Sequence, residues 1–140
     1  MTNINYGRVI LGGLLAGLVL NIGEYLLNEV VFKQQMEEMF RKINVPPPGG
    51  SFIAIAVAIT FLLGILIVCL YAMIRPRYGP GPKTAICAAS VVWFCVYVYV
   101  GILNTALFGF STSFLIITLV WGLVEYALAA IAGAWLYKEA

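Results

Sequence analysis

The 140-residue chain has no histidine and no aspartate. Their absence removes the usual haem and chlorophyll ligand, the usual general base and the common metal-binding clusters, so no enzyme is expected. Charge is scarce too: lysine, arginine, aspartate and glutamate make up 10% of the chain and the net charge is +2, which leaves neither a nucleic-acid footprint nor an acidic tail. Phosphate-binding loops, dinucleotide-binding patterns and nucleophile elbows are missing, and no motif indicates a cofactor. The three cysteines, Cys69, Cys87 and Cys95, fit neither a redox pair nor a zinc spacing and read as small apolar core residues.

What is abundant is apolar surface. Hydrophobic residues are 63% of the chain and the mean hydropathy is +1.01, far above a soluble domain. Short polar interruptions leave apolar stretches near 5–32, 51–74, 84–108 and 113–137, each at or above the about 20 residues that cross a bilayer as a helix. Strands of that length do not span, so the pattern predicts an all-α integral membrane four-helix bundle, a single transmembrane domain over 1–140. The first stretch is too long for a signal peptide and is expected to stay as a membrane helix.

Arg8, Arg75, Arg77, Lys83 and Lys138 share one side of such a bundle, and the positive-inside rule puts that side, with both termini, in the cytoplasm. Tyr6, Tyr71, Tyr78, Trp135 and Tyr137 then form an aromatic girdle there. The proline-rich segment 75–83 holds Arg75, Arg77 and Lys83 against anionic headgroups. In the first outer loop, Phe32, Met36, Met39, Phe40 and Ile43 recur at helical spacing opposite a charged face. This predicts an interfacial amphipathic helix near 32–43, with Glu37–Arg41 and Glu38–Lys42 pairs, stopped by Pro46, Pro47 and Pro48. Either it seals the bundle or it docks a partner.

Leu27-Asn28-x-x-x-Phe32 is echoed by Leu103-Asn104-x-x-x-Phe108, and Ser51-Phe52 by Ser113-Phe114, which fits a tandem duplication of helical hairpins. Gly13 and Gly17 on helix 1, and Gly122 and Gly133 on helix 4, lie in small-residue stripes that would let these two helices meet closely, leaving helix 2 to general packing and lipid contact.

Intramembrane carboxylates are costly, and two stand out. Glu24 lies about 12 Å in from the outer end and Glu125 about 18 Å in, at about 1.5 Å per residue. Asn21, Asn28, Tyr97 and Asn104 are the polar residues expected to share their interior. The acids either stay neutral, hydrogen-bonded to Asn21, Tyr97 or Thr118, and fix helix register, or exchange a proton, a cation or a polar headgroup.

Ile4-Asn5-Tyr6, the run into Glu24-Tyr25 and Phe32, and the close Ala132-Gly133-Ala134-Trp135-Leu136-Tyr137-Lys138 resemble the small four-helix bacterial membrane proteins classed as a domain of unknown function. That resemblance implies a bacterial inner membrane and no particular activity. Three functions remain open. The first is a non-catalytic module, oligomeric or accessory to a larger complex, whose partners are the lipid bilayer and either itself or another membrane protein. The second is a small proton- or cation-coupled transporter or channel using Glu24 and Glu125. The third is a lipid- or quinone-binding protein.

Overall fold

Backbone N–H and C=O groups in hydrocarbon meet no water, so a long apolar stretch closes its hydrogen bonds within itself. The computed structural model describes residues 3–139 and carries four helices long and apolar enough to cross a membrane. These are α1 (Tyr6–Val31), α3 (Gly50–Tyr78), α4 (Pro82–Phe108) and α5 (Thr112–Leu136), with the short α2 (Lys33–Lys42) between the first two. The chain is a small four-span membrane protein.

Local chemistry sets the helix ends. The Asn5 side chain caps α1 by accepting from Arg8 N at 3.1 Å, and the Ser111 hydroxyl caps α5 by accepting from Phe114 N at 3.1 Å. Pro82 opens α4, where a missing N–H costs nothing. Gly109 closes α4 in the left-handed region at φ 70°. α2 stops before its prolines: Asn44 turns left-handed at φ 56°, and Val45 N donates to Phe40 O at 3.0 Å and Asn44 N to Arg41 O at 3.3 Å. This paired arrangement satisfies the last carbonyls. α3 runs on through Pro76 to Tyr78, past the expected loop boundary. Pro76 sits in the final turn, where little helix remains to disrupt, and Arg75 and Arg77 there favour the negative end of the helix dipole.

Around the bundle α1 packs on α3 and α5, and α4 packs on α5 and α3, so α1 and α4 face each other diagonally. The pattern of glycines differs from the expected α1–α5 seam. A Cβ on Gly13 would strike the backbone of Ile65, one on Gly17 would lie 2.8 Å from Phe61 Cα, and one on Gly64 would strike the backbone of Gly13 and Gly17. These glycines therefore seat α3 directly on α1. The approach to α5 is made instead by Gly12, whose added Cβ would lie 2.5 Å from Gly133 O. Gly122 serves neither seam, since its missing side chain makes room for the Tyr97 ring of α4. α3 is thus a central packing element, because Gly64 lets two backbones touch without a side chain between them.

Burial is concentrated toward the end that carries Arg75, Arg77 and Lys83, called the basic end below. Ala16, Leu20, Ile67, Val68, Ala85, Ala88, Ala129 and Ala130 are almost wholly enclosed there. Toward the other end the helices part, and α3 is exposed at every residue from Gly50 to Ile59.

The basic end is cross-braced. Arg75 pairs with Glu139 at 2.6 Å and lies over the Tyr137 ring, which meets Tyr71 edge-on; the Tyr71 hydroxyl accepts from Gly81 N at 3.2 Å. Tyr71 and Tyr137 are therefore buried, whereas Tyr6, Tyr78 and Trp135 are the exposed members of the expected girdle. Among the described residues Arg75–Glu139 is the one salt bridge, so the anticipated Glu37–Arg41 and Glu38–Lys42 pairs do not form; Glu38 accepts instead from Gln34 Nε2 at 3.4 Å. Cys87 and Cys95 are exposed rather than in the core, and Cys69 is half-buried.

Replacing Gly64 with leucine should destabilise the bundle by about 3 kcal/mol, because its Cβ meets backbone that has nowhere to go. Gly49→Ala, where a Cβ meets open space, should change nothing. Unfolding of the purified protein by titration with dodecyl sulfate in mixed micelles would measure both.

Candidate functional site

Two irregularities place the polar residues of the membrane interior. α1 changes to a π-helical turn at Leu26–Val31, just beyond Glu24, and α4 does the same at Phe94–Tyr99, around Tyr97. Such turns admit a surplus residue and recur at working sites. They do not fall at equivalent places in the Leu-Asn-x-x-x-Phe frame: the turn in α4 lies earlier than the one in α1.

From these turns Tyr97 and Glu24 reach each other across the diagonal of the bundle. The Tyr97 hydroxyl donates to Glu24 Oε1 at 2.6 Å, the short distance typical of a bond to a carboxylate. Asn28 Nδ2 donates to Glu24 Oε2 at 3.1 Å and to Glu24 O at 2.9 Å. Both oxygens of Glu24 are thus held. The Tyr97 ring lies against Gly122, where an added Cβ would come within 2.6 Å of it, and meets Tyr126 edge-on at 5.3 Å. Trp93 Nε1 donates to Leu119 O at 3.0 Å and ties α4 to α5 one turn earlier.

Glu125 has the opposite surroundings. It is 5% exposed, and neither of its carboxyl oxygens has a hydrogen-bond partner. The buried Trp121 indole N–H, one turn before it on α5, likewise makes no hydrogen bond of standard geometry and is the donor turned toward the Glu125 carboxyl. The Glu125 side chain occupies space that Gly23 leaves open: a Cβ on Gly23 would lie 2.5 Å from Glu125 Cδ and 2.7 Å from Oε2. Gly23 directly precedes Glu24, so the Glu125 carboxyl of α5 reaches α1 one residue before the other acid. The basic residues Arg8, Arg75, Arg77, Lys83 and Lys138 all belong to the far end of the bundle. Glu125 is thus buried and Glu24 half-buried, and the remaining basic residues, Lys33, Arg41 and Lys42, belong to α2.

Toward the open end a pocket of about 250 Å³ lies between α4 and α5 beneath α2. Met36 and Met39 roof it, Phe108, Phe110 and Phe114 form an aromatic wall, and Asn28 stands at its inner end. The aromatic wall is continuous: Phe110 stacks on Phe114 at 4.6 Å, and Phe114 meets Phe32, where α2 begins, at 4.4 Å.

Glu24, Glu125, Asn28 and Tyr97 are brought together. Asn21 is not: its Nδ2 donates to Gly17 O at 2.9 Å and toward Val57 O at 3.4 Å, tying α1 to α3. Asn104 is exposed and lines the pocket, away from the acids. Arg75 is engaged by Glu139, while Arg77 and Lys83 remain exposed at the basic end. Gly23, Trp121 and Tyr126 are additions to the expected set, and the signal for Gly23 was its position beside Glu24. Among the described residues no group of histidine, cysteine, aspartate or glutamate has a metal-binding arrangement. Comparison with protein-family models, curated proteins and solved structures finds no match.

Tyr97→Phe keeps the ring on Gly122 but removes the bond to Glu24 and should lower stability by about 2 kcal/mol. Gly23→Ala should cost more, since it displaces Glu125 bodily. The same detergent unfolding measurement ranks the two.

Proposed function

We propose that this protein is a small multi-pass membrane protein that exchanges a proton or monovalent cation at the Glu24–Glu125 pair. The reading rests on Glu125, a carboxyl 5% exposed that makes no hydrogen bond of standard geometry, is approached by the Trp121 indole N–H, and lies against Gly23, the residue before a second acid. Burying such a group without a partner is expensive, and a structural acid would be expected to have its oxygens bonded as those of Glu24 are. A proton on the pair, or a cation between the two carboxyls, removes the cost. When one enters as the other leaves, charge within the membrane stays constant.

The site's neighbourhood opens away from the basic end. With that end in the cytoplasm, as the distribution of lysine and arginine favours, exchange takes place from the outer face. A bacterial inner membrane is the location in keeping with the sequence resemblance.

Glu125→Gln preserves size and hydrogen bonding while removing the ionisable group. Full-length protein in liposomes containing a pH-sensitive dye should show proton movement driven by a sodium or potassium gradient. The variant should lose it by about tenfold or more, about 1.4 kcal/mol per tenfold. Equal movement with and without Glu125 would reject the reading.

A second reading, a non-catalytic module that assembles with copies of itself or with a larger membrane complex, is favoured by a different observation. The Gly12–Gly133 and Gly13–Gly64 contacts close the basic half, while every residue from 50 to 59 of α3 is exposed. On this reading the protein should be recovered from native membranes as an oligomer or with a partner. A monodisperse monomer in mild detergent, without a companion, would count against it.

A further inference from the structure

The pocket beneath α2 has a polarity that restricts what it accepts. Asn28 spends both hydrogens of its amide on Glu24, one on the backbone carbonyl and one on Oε2. The backbone contact fixes the orientation of the amide, since a carbonyl oxygen accepts only from the nitrogen. What Asn28 has left is Oδ1, an acceptor. Thr118, also in the lining, donates its hydroxyl hydrogen to Phe114 O at 2.8 Å and likewise has lone pairs to offer. On the side of Asn28 and Thr118 the pocket therefore takes a hydrogen-bond donor, while Asn104, also in the lining, has an amide that can donate or accept.

The charge around it points the same way. The lining contains no lysine or arginine, and Asn28 is bonded to Glu24, while the Glu125 carboxyl lies against Gly23, the residue before Glu24. An anion brought there would face two acids in a medium that screens poorly, and a cation would be attracted by both. The walls are three phenylalanine rings and two methionine side chains, surfaces that suit an apolar body and whose ring faces attract positive charge. The volume of about 250 Å³ is several times the ~30 Å³ share of a liquid water molecule, enough for a small organic body.

We propose that this pocket binds a small lipophilic amine in its ammonium form, its N–H directed at Asn28 Oδ1 and its apolar body held between the phenylalanine wall and Met36 and Met39. This deepens the reading of the acid pair as a cation-exchange site by naming the class of cation. An ammonium enters as RNH3+, one proton leaves the carboxyl pair, and no charge is added to the membrane interior. α2 roofs the site, so the amphipathic helix serves as its cover.

The test uses the full chain in lipid nanodiscs and three probes of one shape: 2-phenylethylamine, 2-phenylethanol and 3-phenylpropionate. Tritiated amine should bind saturably at neutral pH and be displaced by unlabelled amine, with the alcohol and the carboxylate weaker by about tenfold or more. Glu24→Gln keeps an acceptor for Tyr97 and should weaken the amine about tenfold and the alcohol far less, a selective loss that a general loosening of the fold would not produce. Equal binding of the three probes, or the same loss for amine and alcohol in the variant, would overturn the proposal. Glu125-dependent proton movement with no saturable amine binding would sink the amine proposal alone, and absence of both would sink it together with the exchange reading.

Discussion

The bundle depends on the place where two backbones touch. Gly64 of α3 lies against Gly13 and Gly17 of α1, and Gly12 of α1 against Gly133 of α5, so the contacts at the basic half are set by main chain rather than by side chains. In hydrocarbon, where neighbouring lipid is as apolar as leucine, such close fit is what holds helices together. With that half closed, the other half has no glycine seam of this length, and the helices part around aromatic and polar side chains. The pocket, the amphipathic cover and the acid pair all follow from this division between a closed end and an open one.

Much of this was legible in the chain. Length and hydropathy define four spans, and the charged face of residues 33–42 defines the amphipathic helix, because both patterns are local and repeat many times over. Glu24 and Glu125 stood out because a carboxylate within an apolar run is conspicuous. The partner of the Gly13–Gly17 stripe was not legible: a small-residue stripe says that something comes close, and α3 offered only the one glycine, Gly64, to say what. The π-helical turns were hidden as well. Across Leu26–Val31 and Phe94–Tyr99 the hydrogen-bond step lengthens by one residue, so a single helical period carried through them assigns faces wrongly on the far side. That is why Tyr97 and Asn104 were expected to share one interior, whereas Tyr97 reaches Glu24 and Asn104 is exposed.

The two acids illustrate how a membrane interior separates roles. Glu24 is bound at both oxygens and anchors the diagonal of the bundle through Tyr97, while Glu125, a helix away, has room made for it by Gly23 and makes no hydrogen bond of standard geometry. Asn28 joins this pair to the pocket, bonded to Glu24 on one side and facing the cavity on the other.

The bracing of the basic end has a mechanical side. Arg75, Glu139, Tyr137, Tyr71 and Gly81 link the end of α3, the following loop and the tail after α5 into one knot, whereas the opposite ends meet mainly through aromatic rings. A structure pinned in this way has its compliance at the free ends of its rods. The two ends of the rods are thus joined by different chemistry, a charged and hydrogen-bonded knot at one and ring-on-ring contact at the other.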